Sequence, residues 1–205
     1  LYLASAGKSH RTNNYFDLVK QDSPGFELKL HAYIDSRETT IVIRYSKEKG
    51  RYAEINGIKR DKLSDILGTL NMILFSPETL DVVKGSPQVR RKFLDILLCQ
   101  TNRQYLYYLQ QYNILIKNKS TALKKGRTDK KYEEMIPIWN KNIAKYGSKI
   151  SYLRMKTIEE LNVFMQKEIL SITEKKENSE LIYKTFCDYD KDTAPETFEN
   201  RLDQK

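Results

Sequence analysis

The stretch FSPETLDVVKGSPQVRRKFLD, from Phe75 to Asp95, constrains this chain most, because it holds two helix starts close together. Ser76–Pro77 puts a hydroxyl able to cap in front of a proline at the first helical position, where a missing N–H costs nothing. Gly85 can take the left-handed conformation that ends such a helix, and Ser86–Pro87 then repeats the start signal. The second helix opens on Arg90, Arg91 and Lys92. Cations in a first turn oppose the helix macrodipole by a few tenths to about 1 kcal/mol each. Asp95 lies four residues after Arg91 and can offset that one; Arg90 and Lys92 have no such neighbour. The cluster is either a solvated basic face or a place for an anion, and phosphate is the sharper candidate.

The bulk numbers permit a globular protein with a sizeable core. The chain has 205 residues, 40% hydrophobic and 31% charged. No run approaches the ~18 consecutive apolar residues of a membrane span, and no secretory signal is visible. Cys99 and Cys187 are far apart, without metal-type spacing, and read as reduced intracellular thiols. The net charge of +9 is unevenly placed. Gln88 to Arg127 carries nine cations and one acid, so an excess of eight sits in that stretch alone. Such concentration is the footprint of a nucleic-acid partner. Leu1 is not an initiator methionine and LYLA looks like a last helical turn, so an internal fragment of a longer protein is expected.

In chain order, Gly7–Lys8–Ser9 suggests a phosphate loop, but Tyr2 stands where that loop needs glycine and no strand precedes it. Lys8, His10 and Arg11 remain a compact basic turn. Phe26–Ile34 alternates as a half-buried strand; Thr39–Tyr45 and Arg51–Ile55 are two more, and Asn56–Gly57 is a hairpin turn leading to Ile58 and Lys59. Asp61 can cap a short helix with Leu63, Ile66, Leu67 and Leu70 inward, and Asn71–Phe75 is a short apolar strand. A long helix is predicted from Gln88 to Lys124 and a second from about Tyr132 to Ile172. In the second, Trp139, Ile143, Tyr146, Ile150, Leu153, Thr157, Leu161 and Phe164 step by fours and threes, a seam for an antiparallel partner helix. Tyr105 and Tyr108 keep helical spacing and read as core rather than as base-stacking groups. Lys175–Glu180 is a turn, Leu181–Phe186 an edge strand and Ala194–Leu202 a terminal helix. The expected class is α+β, an antiparallel meander with short helices followed by a long helical hairpin arm. The expected parts are a lobe at 1–87, the arm at 88–175 and a return segment at 176–205.

This order of residues resembles RecF, the bacterial recombinational repair ATPase. The resemblance rests on GKSHRT (Gly7–Thr12), INGIK (Ile55–Lys59), FSPETLDVVKGSPQVRRKFLD, YNILIKNKSTALKK (Tyr112–Lys125) and WNKNIAKYGSKISYLR (Trp139–Arg154). Two departures stand out: the family usually has an acid where Thr79 stands, and Gln-Arg-Asn in place of Ile116, Lys117 and Asn118. The resemblance implies part of an ABC-type ATPase head, related to structural-maintenance-of-chromosomes proteins, with a helical arm. It implies a cytoplasmic protein of DNA repair, recombination, replication and the SOS response. Such a protein binds ATP and Mg, dimerises with ATP, binds DNA and works with RecO and RecR to load recombinase at gaps. The family's phosphate loop would precede Leu1 and its signature and metal-binding motifs would follow Lys205. This stretch alone is therefore expected to bind no cofactor or metal and not to turn over ATP.

Two sets of residues follow. Arg90, Arg91, Lys92, Arg103, Lys117, Lys119 and Lys124 are the candidates for DNA backbone contact, single-stranded or duplex and sequence-tolerant, on charge geometry as much as on resemblance. His10 and Arg11 fill the turn after the family's first helix, where a basic residue approaches nucleotide or DNA. No catalytic residue and no metal ligand is assigned. A competing reading makes the chain a protein-docking scaffold that never touches DNA. A basic helix lying on an anionic membrane is a third, but the apolar seam is better explained by helix pairing.

Overall fold

The computed structural model describes residues 1–12, 14–125 and 130–185. The chain divides into two compact units, Leu1–Arg103 and Gln104–Lys205. In the first, β1 (Gly25–Ile34), β2 (Arg37–Ser46), β3 (Gly50–Ile55) and β4 (Ile58–Arg60) pair antiparallel in sequence order. The meander read from the sequence is thus the one found. Along β1 the even positions from Phe26 to Ile34 are half-buried and the odd ones exposed, as the pleat requires. Register sets Leu28 opposite Ile43, Leu30 opposite Ile41 and Ile43 opposite Ala53. Ile43 and Ala53 are fully buried and pack with Tyr15 and Ile66, backed by Leu3, Leu28 and Ile55. On the other face Arg44 pairs with Glu27 of β1 and with Glu54 of β3, the latter at 2.7 Å, lacing three strands. Both two-residue hairpins hold positive φ at each position: 49° and 62° at Asp35–Ser36, 50° and 77° at Asn56–Gly57. That is the geometry that follows strand twist; Asn56–Gly57 announces it and Asp35–Ser36 does not.

Short elements close the inner face. Helix α1 (Tyr2–Ala6) ends at Gly7, whose carbonyl accepts the Tyr15 hydroxyl. A 3₁₀ turn, Tyr15–Leu18, starts at Asn14, whose side chain accepts the Phe16 N–H. The helix expected after Asp61 is a single 3₁₀ turn, Leu63–Ile66, that begins at Lys62; the Asp65 carboxylate accepts the Lys62 N–H at 3.2 Å. Asn71–Phe75 forms no strand. Its Met72 N–H is taken instead by the buried Gln100 side chain at 2.7 Å. The Ser76–Pro77 start opens a 3₁₀ turn, Pro77–Leu80, that runs into α2 (Asp81–Lys84).

The helix expected over 88–124 is two helices, α3 (Pro87–Thr101) and α4 (Arg103–Lys125). They part at Asn102, which is extended (φ −137°, ψ 106°). Neither glycine nor proline marks the break. The Thr101 hydroxyl bonds back to the Leu97 carbonyl at 3.0 Å, the kind of local competition that weakens a helix end.

The second unit holds most of α4 and the long α5 (Lys130–Ile172), which carries Pro137 within it. Arg154 Nε donates to the hydroxyl of fully buried Tyr105 at 2.9 Å, while Tyr107 and Tyr108 each meet the Tyr146 ring at 6.1 Å. Rising numbers on α4 meet falling numbers on α5, so the helices run antiparallel, as the seam required. Ile150 is buried, but the other deepest positions are Ala144, Ser148 and Met155, beside the predicted seam, and Phe164 is 68% exposed. Small side chains let the helices approach, and a pattern of large apolar residues does not reveal them. Residues 173–176 turn the chain, with Glu174 and Lys175 at positive φ. Residues 181–185 are not a strand; the Asn162 amide holds Leu181 through its N–H (2.7 Å) and its carbonyl (2.8 Å). The predicted helix at 194–202 lies outside the described residues, as does Phe186.

Candidate nucleic-acid interface

The cations at the head of α3 separate into different roles. Arg90 folds back on α2: its Nη1 donates to the carbonyls of Gly85 (2.9 Å), Val83 (3.4 Å) and Val82 (3.5 Å). A cation that is misplaced at the start of α3 is well placed at the end of α2, where carbonyls lack helical partners. The tight α2–α3 corner makes this possible. Gly85 is extended there, with φ −84° and ψ −170°, and not left-handed as its sequence position suggested. It must be glycine for room: a Cβ would stand 2.5 Å from the Asp81 carbonyl oxygen. Arg91 is exposed, and Lys92 turns toward a cleft.

That cleft, about 300 Å³, lies within the first unit. Lys8, His10 and Arg11 from the turn after α1 meet Lys92 of α3 along it. The structure therefore joins a residue of the DNA set to both residues placed near nucleotide. His10 lies edge-on to Tyr2 with ring centroids 5.8 Å apart. Lys8, left unassigned by the sequence, is half-buried. Burial holds its amine below the ordinary lysine value; Lys92 adds to this, while Cys99 and Asp95 work the other way. Glu78 is the acid on this rim. Its carboxyl is held low by a hydrogen bond from Ser76, by its own backbone N–H and by the charges of His10 and Arg11.

The remaining cations lie on α4. Arg103 is its exposed first residue. Lys117 and Lys124, both exposed, are seven apart and share a face, whereas Lys119, half-buried, is about 200° round from Lys117 at 100° per residue. The α4 set is thus two faces, not one. Tyr107 and Tyr108 of α4 cluster with Tyr146, and Lys149 Nζ lies 5.1 Å from the Tyr108 ring.

Gly7–Lys8–Ser9 follows a helix and not a strand. Among the described residues no cluster of His, Cys, Asp or Glu could hold a metal ion. Nor, among them, is any helix long and apolar enough to cross a membrane.

No protein-family model matches the chain. Relatives do. It is 37% identical over 183 residues to the DNA replication and repair protein RecF of Clostridium tetani, covering 89% of this chain and 49% of that protein. It is 39% identical over 163 residues to the RecF of Clostridium botulinum, covering 80% of the chain and 44% of the relative. A solved structure of the recombination mediator protein RecF-ATPrS in the RecFOR pathway superposes with a TM-score of 0.88 at 29% identity, over 98% of this chain and 54% of that one. A second, RecF-ATP, superposes at 0.85 with 30% identity and the same coverage. In sequence over about nine-tenths of its length and in fold over nearly all of it, the chain matches RecF, and it spans about half the length of the RecF proteins it matches.

Proposed function

We propose that this chain is part of a RecF-type mediator of DNA repair and recombination and supplies a surface for DNA. The observation that carries the reading is the match to RecF over nine-tenths of the chain, on which Arg91, Lys92, Lys117 and Lys124 stand as exposed cations. Phosphate contacts of this kind fix a strand or duplex in place without reading its bases, so binding is sequence-tolerant. Lys92 and the His10–Arg11 turn, which line one cleft, form the edge turned toward phosphates. The whole protein, in this reading, is cytoplasmic. It binds ATP and Mg through residues beyond this stretch, dimerises with ATP, and acts with RecO and RecR in loading recombinase at gapped DNA. The nucleotide supplies the energy of dimerisation; this chain's own residues position the DNA.

A scaffold reading, in which the chain docks proteins only, draws on the exposed apolar residues Val163, Phe164 and Ile172 along the end of α5. Charge reversal separates the two. Arg91→Glu with Lys92→Glu should weaken binding of a fluorescent oligonucleotide at least about tenfold, the loss of a pair of charge-assisted contacts, and leave RecR binding intact. Unchanged DNA affinity with lost RecR binding would establish the scaffold instead.

A further inference from the structure

The break between α3 and α4 rests on one residue. Asn102 is extended, while Thr101 before it and Arg103 after it are helical. Asparagine in an extended conformation is a favoured cap for a helix that follows, and this local preference supports the break. The flanking residues favour continuity instead. α3 has no cation in its last turn, and α4 opens on Arg103 with no acid in its first turn. Neither is what separate helix ends prefer.

The faces of the two helices also keep step across the break. Arg103, Lys117 and Lys124 follow Lys92 by eleven, twenty-five and thirty-two residues, and all are exposed. At 100° per residue they fall about +20°, −20° and −40° from Lys92, so one continuous helix would carry these cations within about 60° of arc. The buried side keeps the same phase. Leu98 and Tyr105 fall about 40° and 20° from Leu94, and Leu94 lies across the helix from Lys92. Once a helix is broken the phase of its second part is free, so the broken form does not require this agreement. Each side is anchored away from the break. The Gln100 side chain takes the Met72 N–H at 2.7 Å, within the first unit. Tyr105 is fully buried and accepts from Arg154 at 2.9 Å, within the second. Residues 102 and 103 can therefore change conformation with both anchors kept.

We propose that Asn102 is a two-state joint, with α3 and α4 separate in one form and closed into a single helix over 87–125 in the other. The joint regulates the proposed DNA surface and so rests on that reading. In the continuous form Lys92, Arg103, Lys117 and Lys124 stand in one row about 48 Å long, at 1.5 Å per residue. DNA that follows the row draws the equilibrium toward this form, by as much as its affinities for the two forms differ.

The test measures the span from 88 to 113 with spin labels at Gln88→Cys and Asn113→Cys, both exposed positions, in a chain that also carries Cys99→Ala and Cys187→Ala. A continuous helix sets the backbone separation at about 38 Å, and any break shortens it. Asn102→Ala removes the cap and adds helix propensity, and should raise the ratio of long to short form about tenfold. Asn102→Gly, tolerated in a cap and poor inside a helix, should keep the short form. Duplex DNA should increase the long form when Asn102 is present. It should bind Asn102→Ala more tightly than Asn102→Gly, with a salt slope steeper by up to about 1.8, the worth of two added phosphate contacts. Amide exchange in the unlabelled chain is a second readout should the cysteine changes disturb folding. The N–H groups of Arg103 and Gln104 would gain the Cys99 and Gln100 carbonyls in a continuous helix, so their exchange should slow in Asn102→Ala. A short distance and fast exchange in Asn102→Ala would remove the continuous form and overturn the proposal, with the DNA reading untouched. A long form with equal DNA affinity in the two variants would overturn it as well, because the joint would then regulate nothing. Absence of DNA binding in every variant would instead overturn the DNA reading, and the proposal with it, whatever the distance.

Discussion

Arg90 shows how a single residue can look functional for the wrong reason. From sequence it is a cation at a helix start, with no acid near enough to offset it. In the fold it serves a different helix end, holding the last carbonyls of α2 through Nη1. The α2–α3 corner is short only because Gly85 lets the chain pass against the Asp81 carbonyl. Lys92, two residues on, faces the cleft and raises the cost of charging Lys8. The two cations should therefore part company on mutation. Arg90→Met removes charge-assisted bonds at an exposed site and should cost about 1 kcal/mol of stability. Lys92→Met relieves repulsion, and stability should be held or slightly raised while DNA affinity falls. Urea unfolding beside DNA titration checks both. Equal loss of stability in the two variants would mean that Arg90 has no special role at the corner.

Among the elements, the least regular attachment is also the easiest to break. Residues 181–185 lie in no sheet, yet Asn162 offers Leu181 both an acceptor and a donor, doing for one residue what a neighbouring strand does for many. Asn162→Ala should release this segment. Amide exchange at Leu181 should become fast, at a cost of about 1–2 kcal/mol locally for two exposed bonds, while α5 around Ile150 stays protected. Retained protection at Leu181 would assign the attachment to Tyr183, whose hydroxyl reaches Ser151 Oγ at 3.5 Å. The sequence suggested a strand here because its apolar residues are β-formers, and it could not show that the partner would be a side chain. The same limit applies to Asn71–Phe75, where the pattern is right and the neighbour is missing. The meander was legible because alternation on β1 and Asn56–Gly57 specify pairing locally. The helix break at Asn102 and the buried Ala144 and Ser148 were not. Small and polar residues take those positions from tertiary contact, without a periodic signature. Of the candidate site, its charge was legible. The convergence of Lys8, His10, Arg11 and Lys92 on one cleft was not, since the turn and α3 lie far apart in sequence.

For the molecule as a whole, the excess of eight charges between Gln88 and Arg127 favours polyanions in general on Coulombic grounds, and so says little about geometry. Salt dependence distinguishes a track from a diffuse field. Each phosphate neutralised in duplex DNA contributes about 0.9 to the slope of log affinity against log salt. With about five contacts, affinity should fall ~10² to 10³-fold between 50 and 200 mM salt. The faces of α4 then give a finer measure. Lys117 and Lys124 share an exposed face, so replacing both with glutamine should flatten the slope by about 1.8. Lys119 lies on another, half-buried face, and Lys119→Gln should leave the slope nearly unchanged. A diffuse field would respond to all three lysines alike, because every charge then contributes by distance and none by contact. Equal changes in slope would therefore leave the attraction to DNA in place and remove the track along α4.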